Sequence, residues 1–174
     1  MHVKLKLAAA AIALMAAGAQ ATVFEWDDHD ILETQTVKYG KVHSGQAFED
    51  FFTFELDDPS HLWTAAVSAN LINRFRVEQG SVELFAGTYG DNVADVSLGA
   101  YAFDGSTGST DHQFSNLAAG DYYYKVNGVI TGTLGGQYVL TSTIAPVPEP
   151  ETYALMGLGL AGLIAARRKK HQAK

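Results

Sequence analysis

The chain contains no cysteine. For its 174 residues that absence excludes a disulfide framework, a cysteine-ligated zinc site and a thiol nucleophile. Stability must then come from an apolar core. Proline is scarce, and three of its four residues (Pro146, Pro148, Pro150) fall in one short segment. Positive charge is scarce in the body of the chain. Residues 22–147 hold seventeen acids and five bases, a net of −12 within a chain of net −7. A body so acidic repels phosphate and has no basic stripe, so no nucleic-acid partner is expected. It suits an exported protein and attracts divalent cations. Catalytic patterns are missing as well: there is no Gly-x-Ser-x-Gly elbow, His-Glu-x-x-His pair, phosphate-binding glycine loop or EF-hand loop. No catalytic residue and no cofactor is expected, and the chain reads as a non-enzyme.

What is present begins with MHVKLKLAAAAIALMAAGAQA. Lys4 and Lys6 give a basic start, 7–17 is an apolar run of eleven, and Ala19-Gln20-Ala21 is a small-x-small cleavage pattern. This is the architecture of a secretory signal peptide, with cleavage by signal peptidase expected after Ala21. Eleven apolar residues fall short of the about 20 needed for a membrane anchor.

Beyond residue 21 the strand signals dominate. Runs rich in valine, phenylalanine, tyrosine and threonine predict strands over 34–39, 47–56, 62–70, 76–86, 96–103, 110–117, 121–130 and 137–144. Glycine-, aspartate- and serine-rich turns separate them, DDPS at 57–60 and DGSTGST at 104–110 among them. In 122–126, Tyr122, Tyr124 and Val126 are expected inward and Tyr123 and Lys125 outward. The one ambiguous run, PSHLWTAAVSANLINRF, reads as a strand followed by a loop. Short, regularly spaced strands predict an all-β fold, a single jelly-roll-like β-sandwich of about eight strands.

Two stretches carry family resemblances. AFEDFFTFEL contains Phe48-Glu49-Asp50-Phe51-Phe52, and this Phe-x-Asp-x-Phe pattern resembles the FxDxF family of exported bacterial proteins. Phe48, Asp50 and Phe52 are the motif residues, and the motif reads as structural, with Asp50 capping or hydrogen-bonding a strand end. The stretch FSNLAAGDYYYKVNGVITGTLGGQYVLTST resembles the closing hairpin of bacterial pre-peptidase C-terminal domains. The matching residues are Leu117, Gly120, Tyr122, Tyr123, Val126, Gly136, Tyr138 and Leu140. That resemblance implies the fold and no ligand.

Acidic residues gather in three places. Glu25, Asp27, Asp28 and Asp30 surround His29; Glu55, Asp57 and Asp58 flank a turn; Asp91, Asp95, Asp104 and Asp111 sit in glycine-rich loops. Such loops can offer calcium its six to eight oxygens, yet aspartate also favours turns for local hydrogen-bonding reasons. Trp26, Trp63, Tyr89, Tyr101 and Tyr123 are the candidates for a sugar-stacking platform, or else core and sheet cover. His29, His43, His61 and His112 are scattered over the body and read as surface histidines rather than a metal site.

The last segment is PVPEPETYALMGLGLAGLIAARRKKHQAK. Its prolines donate no backbone hydrogen bond and favour an extended spacer, which ends the sandwich. Residues 152–166 are then free of charge for 15 residues. At about 1.5 Å per residue such a helix is about 22 Å long, against about 30 Å of hydrocarbon. Snorkelling side chains extend its reach, so a transmembrane helix is expected there. Arg167, Arg168, Lys169 and Lys170 act as the stop that keeps this end cytoplasmic. Pro148-Glu149-Pro150, the glycine-rich apolar helix and the basic cluster resemble the PEP-CTERM sorting signal. The resemblance implies recognition by an exosortase of a Gram-negative bacterium, a transient membrane anchor, removal of the tail near the triplet, and delivery to the cell surface or an exopolysaccharide-associated, biofilm matrix.

The expected organisation is therefore a signal peptide (1–21), a β-sandwich (22–145), a proline-rich spacer (146–151), a transmembrane helix (152–166) and a basic tail (167–174). The expected role is that of a non-catalytic surface or matrix protein. A carbohydrate- or calcium-binding module and a polysaccharide hydrolase are the alternatives.

Overall fold

Alternation of apolar and polar side chains fixes which face of each strand is buried. The structure, a computed structural model, describes residues 20–105, 112–147 and 150–172. The clearest alternation is in SHLWTAAVS, where Ser60, Leu62, Thr64, Ala66 and Ser68 are buried and the residues between them half-buried. Among the described residues there are nine strands: β1 (Gln20–Asp28), β2 (Leu32–Gly40), β3 (Ala47–Leu56), β4 (Ser60–Ser68), β5 (Val77–Ala86), β6 (Val96–Phe103), β7 (His112–Leu117), β8 (Gly120–Ile130) and β9 (Gly135–Pro146). A single helix, α1 (Pro150–Gln172), follows.

The strands form two sheets, ordered β1-β3-β8-β5-β6 and β2-β9-β4-β7. From β2 to β9 the chain changes sheet at every step except β5 to β6, the interleaved wiring of a jelly roll. The inner faces share one core, in which Phe52, Leu62, Leu84, Tyr124, Tyr138 and Leu140 are fully buried. The β8–β9 connection is tight. Gly135 has φ +118°, and a Cβ there would lie 1.9 Å from the carbonyl oxygen of Tyr39, so only glycine fits.

The sequence reading differs from the structure in three ways, and one expectation lies largely outside the described residues. The first strand was not foreseen: β1 pairs parallel with β3, from Gln20 opposite Phe48 to Asp28 opposite Glu55. Residues 1–19 of the expected signal peptide, with Ala19, lie outside the described residues, while Ala21 lies in β1. Tyr123 was expected on an exposed face but is 7% exposed, because Phe85, Phe51 and Tyr89 cover it. Finally, the expected transmembrane helix over 152–166 is corrected. A helix does form, but among the described residues none is long and apolar enough to cross a membrane. The reason is the brevity of its uncharged run, bounded by Glu151 on one side and Arg167 on the other.

Candidate functional site

Three regions carry the residues singled out by the sequence: the tail, the buried centre around Asp50, and an acidic groove at one end of the larger sheet.

The tail leaves the sandwich in two steps. Ser60 of β4 pairs with Pro146 at the end of β9, and the Val147 N–H then donates to the Pro59 carbonyl at 2.9 Å. Pro148 and Glu149 lie outside the described residues, and Pro150 is the first residue of α1. Proline suits that position, where its missing N–H costs no helical hydrogen bond. Residues 154–164 are all exposed, with Leu155, Leu158 and Leu163 each 69% open. A Cβ added at Gly157, Gly159 or Gly162 would meet nothing within 4 Å. This apolar stretch is therefore not packed on the sandwich. Arg167 is exposed beyond it; the side chains of Arg168, Lys169 and Lys170 are outside the described set.

The Phe-x-Asp-x-Phe residues lie within β3 and point into the core. Phe48 stacks on Tyr138 with ring centres 5.4 Å apart, and Phe52 stacks on Phe24 at 4.8 Å. Asp50 does not cap a strand end as expected. It sits in mid-strand at 0% exposure, and the hydroxyls of Tyr39 and Tyr138 both donate to its Oδ2, each at 2.5 Å. Burial pushes the Asp50 carboxyl above the ordinary carboxylate range, against the pull of these donors. Burial, with Asp50 alongside, pushes both tyrosines up as well. The hydrogen-bonding role was legible in the motif, but its depth was not.

His29 corrects the surface reading of the histidines. It is buried, with Nε2 2.8 Å from Ser142 Oγ, which in turn lies 2.9 Å from the Tyr124 hydroxyl. Burial lowers its pKa. His43, His61 and His112 stand apart on the Lys41–His43 turn, β4 and β7.

The acidic groove is built by a bulge. The register of β1 against β3 shifts between Glu25 and Asp28, and Asp27 takes φ +50°. This brings Glu25, Asp27 and Asp28 to a cavity of about 420 Å³ shared with Glu55 of β3, Asp121 of β8 and Tyr89. Thr88 Oγ1 donates to Asp121 Oδ2 at 2.6 Å and fixes that rim. Tyr89 lies over Phe51 at 4.2 Å beside it. Glu55 thus shares a cavity with Glu25, Asp27 and Asp28, which spacing alone did not reveal, whereas Asp57 and Asp58 line a separate one. Among the described residues no three acidic or histidine side chains converge to hold a metal ion, and Asp111 is outside that set. The proposed aromatic platform is not assembled. Trp26 packs on Phe52, Phe54 and Tyr124, Trp63 pairs with His61, and Tyr101 stacks on His112. Of these five, Tyr89 and Tyr123 do come together, with ring centres 5.5 Å apart.

The tail matches the family model of the PEP-CTERM protein-sorting motif over residues 146–169. The chain thus carries a signal that implies export, a membrane-associated intermediate and processing by an exosortase. No curated protein matches the chain. Among solved structures it is similar to Aeromonas hydrophila PliG, a periplasmic inhibitor of g-type lysozyme, at 11% identity and TM-score 0.44, covering 72% of this chain and 99% of that one. It is also similar to the pre-peptidase C-terminal domain of a Bacillus anthracis collagenase, at 16% identity and TM-score 0.41, covering 72% and 97%. A third is the Yersinia pseudotuberculosis-derived mitogen, at 11% identity and TM-score 0.39, covering 68% and 90%. The second belongs to the family that the closing hairpin resembles. At these identities and scores the likenesses carry no functional argument.

Proposed function

We propose that the chain is a non-catalytic protein of the bacterial cell surface or extracellular matrix. A signal peptide ending at Ala21 exports it, and an exosortase acting at Pro148-Glu149-Pro150 releases it. The observation that carries this reading is the sorting motif at 146–169, which starts where the last core strand ends. Among the described residues before the triplet, Val147 makes the last hydrogen bond to the sandwich, to the Pro59 carbonyl. The exposed apolar stretch 154–164 associates with the inner membrane of a Gram-negative cell. The basic residues at 167–170 add attraction to anionic headgroups of that membrane, while the body faces the periplasm. Exopolysaccharide is the partner this sorting route favours. The test is intact mass spectrometry of surface protein. The mature chain is expected to lack Arg167, Arg168, Lys169 and Lys170, and recovery of that cluster would overturn the reading. Replacing Pro148, Glu149 and Pro150 by alanine is expected to leave unprocessed protein at the inner membrane.

A second reading, ligand binding by the body, is favoured by the groove where Tyr89 meets five carboxylates. An aromatic face beside hydrogen-bond acceptors suits a sugar. Glycan-array and calorimetric titration of the mature protein and of Tyr89→Ala test it. Binding unchanged by the substitution would remove the groove from consideration.

A further inference from the structure

Among the described residues Asp50 has no counterion. Its Oδ2 takes both tyrosine hydroxyls, while its Oδ1, equally buried, has no hydrogen-bond partner. Among the described residues no lysine or arginine bridges it. Lys125 pairs with Glu49 at 2.8 Å and Arg76 with Glu78 at 2.8 Å, and Lys38, Lys41 and Arg74 are exposed. A buried carboxylate with one empty oxygen and no cation is costly unless it takes up a proton or something charged completes it.

The residue opposite Asp50 in the parallel β1–β3 register is Thr22. Its hydroxyl and its backbone N–H both act on the Asp50 carboxylate, though neither makes a hydrogen bond of normal geometry to Oδ1. Thr22 is also the residue that follows Ala21, the expected end of the signal peptide. In the precursor its nitrogen is an amide with one hydrogen and no charge. Cleavage of the Ala21–Thr22 peptide bond by water leaves the carboxylate on Ala21 and makes this nitrogen an ammonium with three donors.

We infer that the α-ammonium of Thr22, created when the leader is removed, is the missing counterion: it pairs with Oδ1 of Asp50 and clamps the start of β1 to β3. The inference rests on the proposed cleavage after Ala21. It adds that this cut completes the core as well as releasing the chain. The pairs that the cut removes, Gln20 with Phe48 and Ala21 with Glu49, lie at the very start of the β1–β3 ladder, and the ladder from Thr22 onward remains.

The test uses protein exported by cells and purified with its natural N-terminus. Peptide mass spectrometry reads the first residue and, in the same spectra, the rate at which an acylating reagent labels its α-amine near neutral pH. The expected result is a chain that starts at Thr22 and labels about tenfold more slowly folded than in guanidinium, equivalent to about one pK unit. A Thr22 start that labels at the unfolded rate overturns the pairing and leaves the leader reading intact. A different first residue overturns the leader reading, and the pairing with it. A second measurement inserts Ala-Ser between Ala21 and Thr22, so that the amine is displaced. The insertion is expected to lower the thermal midpoint in the natural chain and to add nothing in Asp50→Asn. An equal drop in both overturns the inference. Should Asp50→Asn fail to fold, the labelling rate of the natural chain decides alone.

Discussion

At the scale of single residues, the polar groups inside the sandwich set how stability responds to acid. His29 is buried and its pKa is lowered by that burial. The unfolded chain takes up the proton at about pH 6.5, whereas the folded chain takes it up only at lower pH. Stability from this residue is therefore complete above about 6.5 and falls as pH drops from there towards the lowered folded value. Thermal midpoints measured from pH 7.5 downward are expected to show this decline, and His29→Phe to lack it. Asp50 works the other way in the uncleaved chain. Its folded pKa is raised, so protonation stabilises, and its contribution is lost as pH rises above about 3.8 through the raised folded value. Tyr138→Phe removes one of the two donors to Asp50 and is expected to cost about 1–3 kcal/mol in urea unfolding.

At the scale of elements, β1 and the β8–β9 connection are where local sequence and global fold meet least obviously. Trp26 ties β1 to the core by packing on Phe52, Phe54 and Tyr124. Trp26→Ala is expected to cost about 3 kcal/mol, read from denaturant midpoints. Gly135→Ala would place a methyl group against the Tyr39 carbonyl and force a left-handed conformation on alanine, so little soluble folded protein is expected. Most strands were legible because their alternation and turns are local. The stretches 47–56 and 96–103 were placed to the residue, and 121–130 within one residue. β1 was missed although its pattern alternates, with Phe24 and Trp26 inward. It abuts the expected signal peptide, ends in acids, and pairs with β3 in parallel, a register no turn announces. Asp50 was legible as a structural hydrogen-bonding residue. Its burial was not, because the partners Tyr39 and Tyr138 come from β2 and β9, distant in sequence. The same holds for the groove, whose carboxylates come from three strands.

At the scale of the whole molecule, the chain divides its labour by charge. The acidic body holds the groove and the core, and the basic residues at 167–170 stand at the far end of α1. Residues 154–164 of that helix rest on nothing in the sandwich. Removing everything after Val147 is therefore expected to change the unfolding free energy of the body by no more than about 0.5 kcal/mol. Comparing the truncated chain with the full chain in detergent checks this.

The hydrogen bond from Val147 to Pro59 has one more consequence. It lies on the body side of the triplet, so scission leaves no strand half-paired and no apolar surface of the core newly wetted. The two states of the protein then differ in phase rather than in shape. On the proposed route, leucine and isoleucine side chains hold the uncut chain at a lipid boundary, and the cut chain is expected to partition into water. Release becomes a change of solubility imposed by a single broken peptide bond, with no refolding step to slow it.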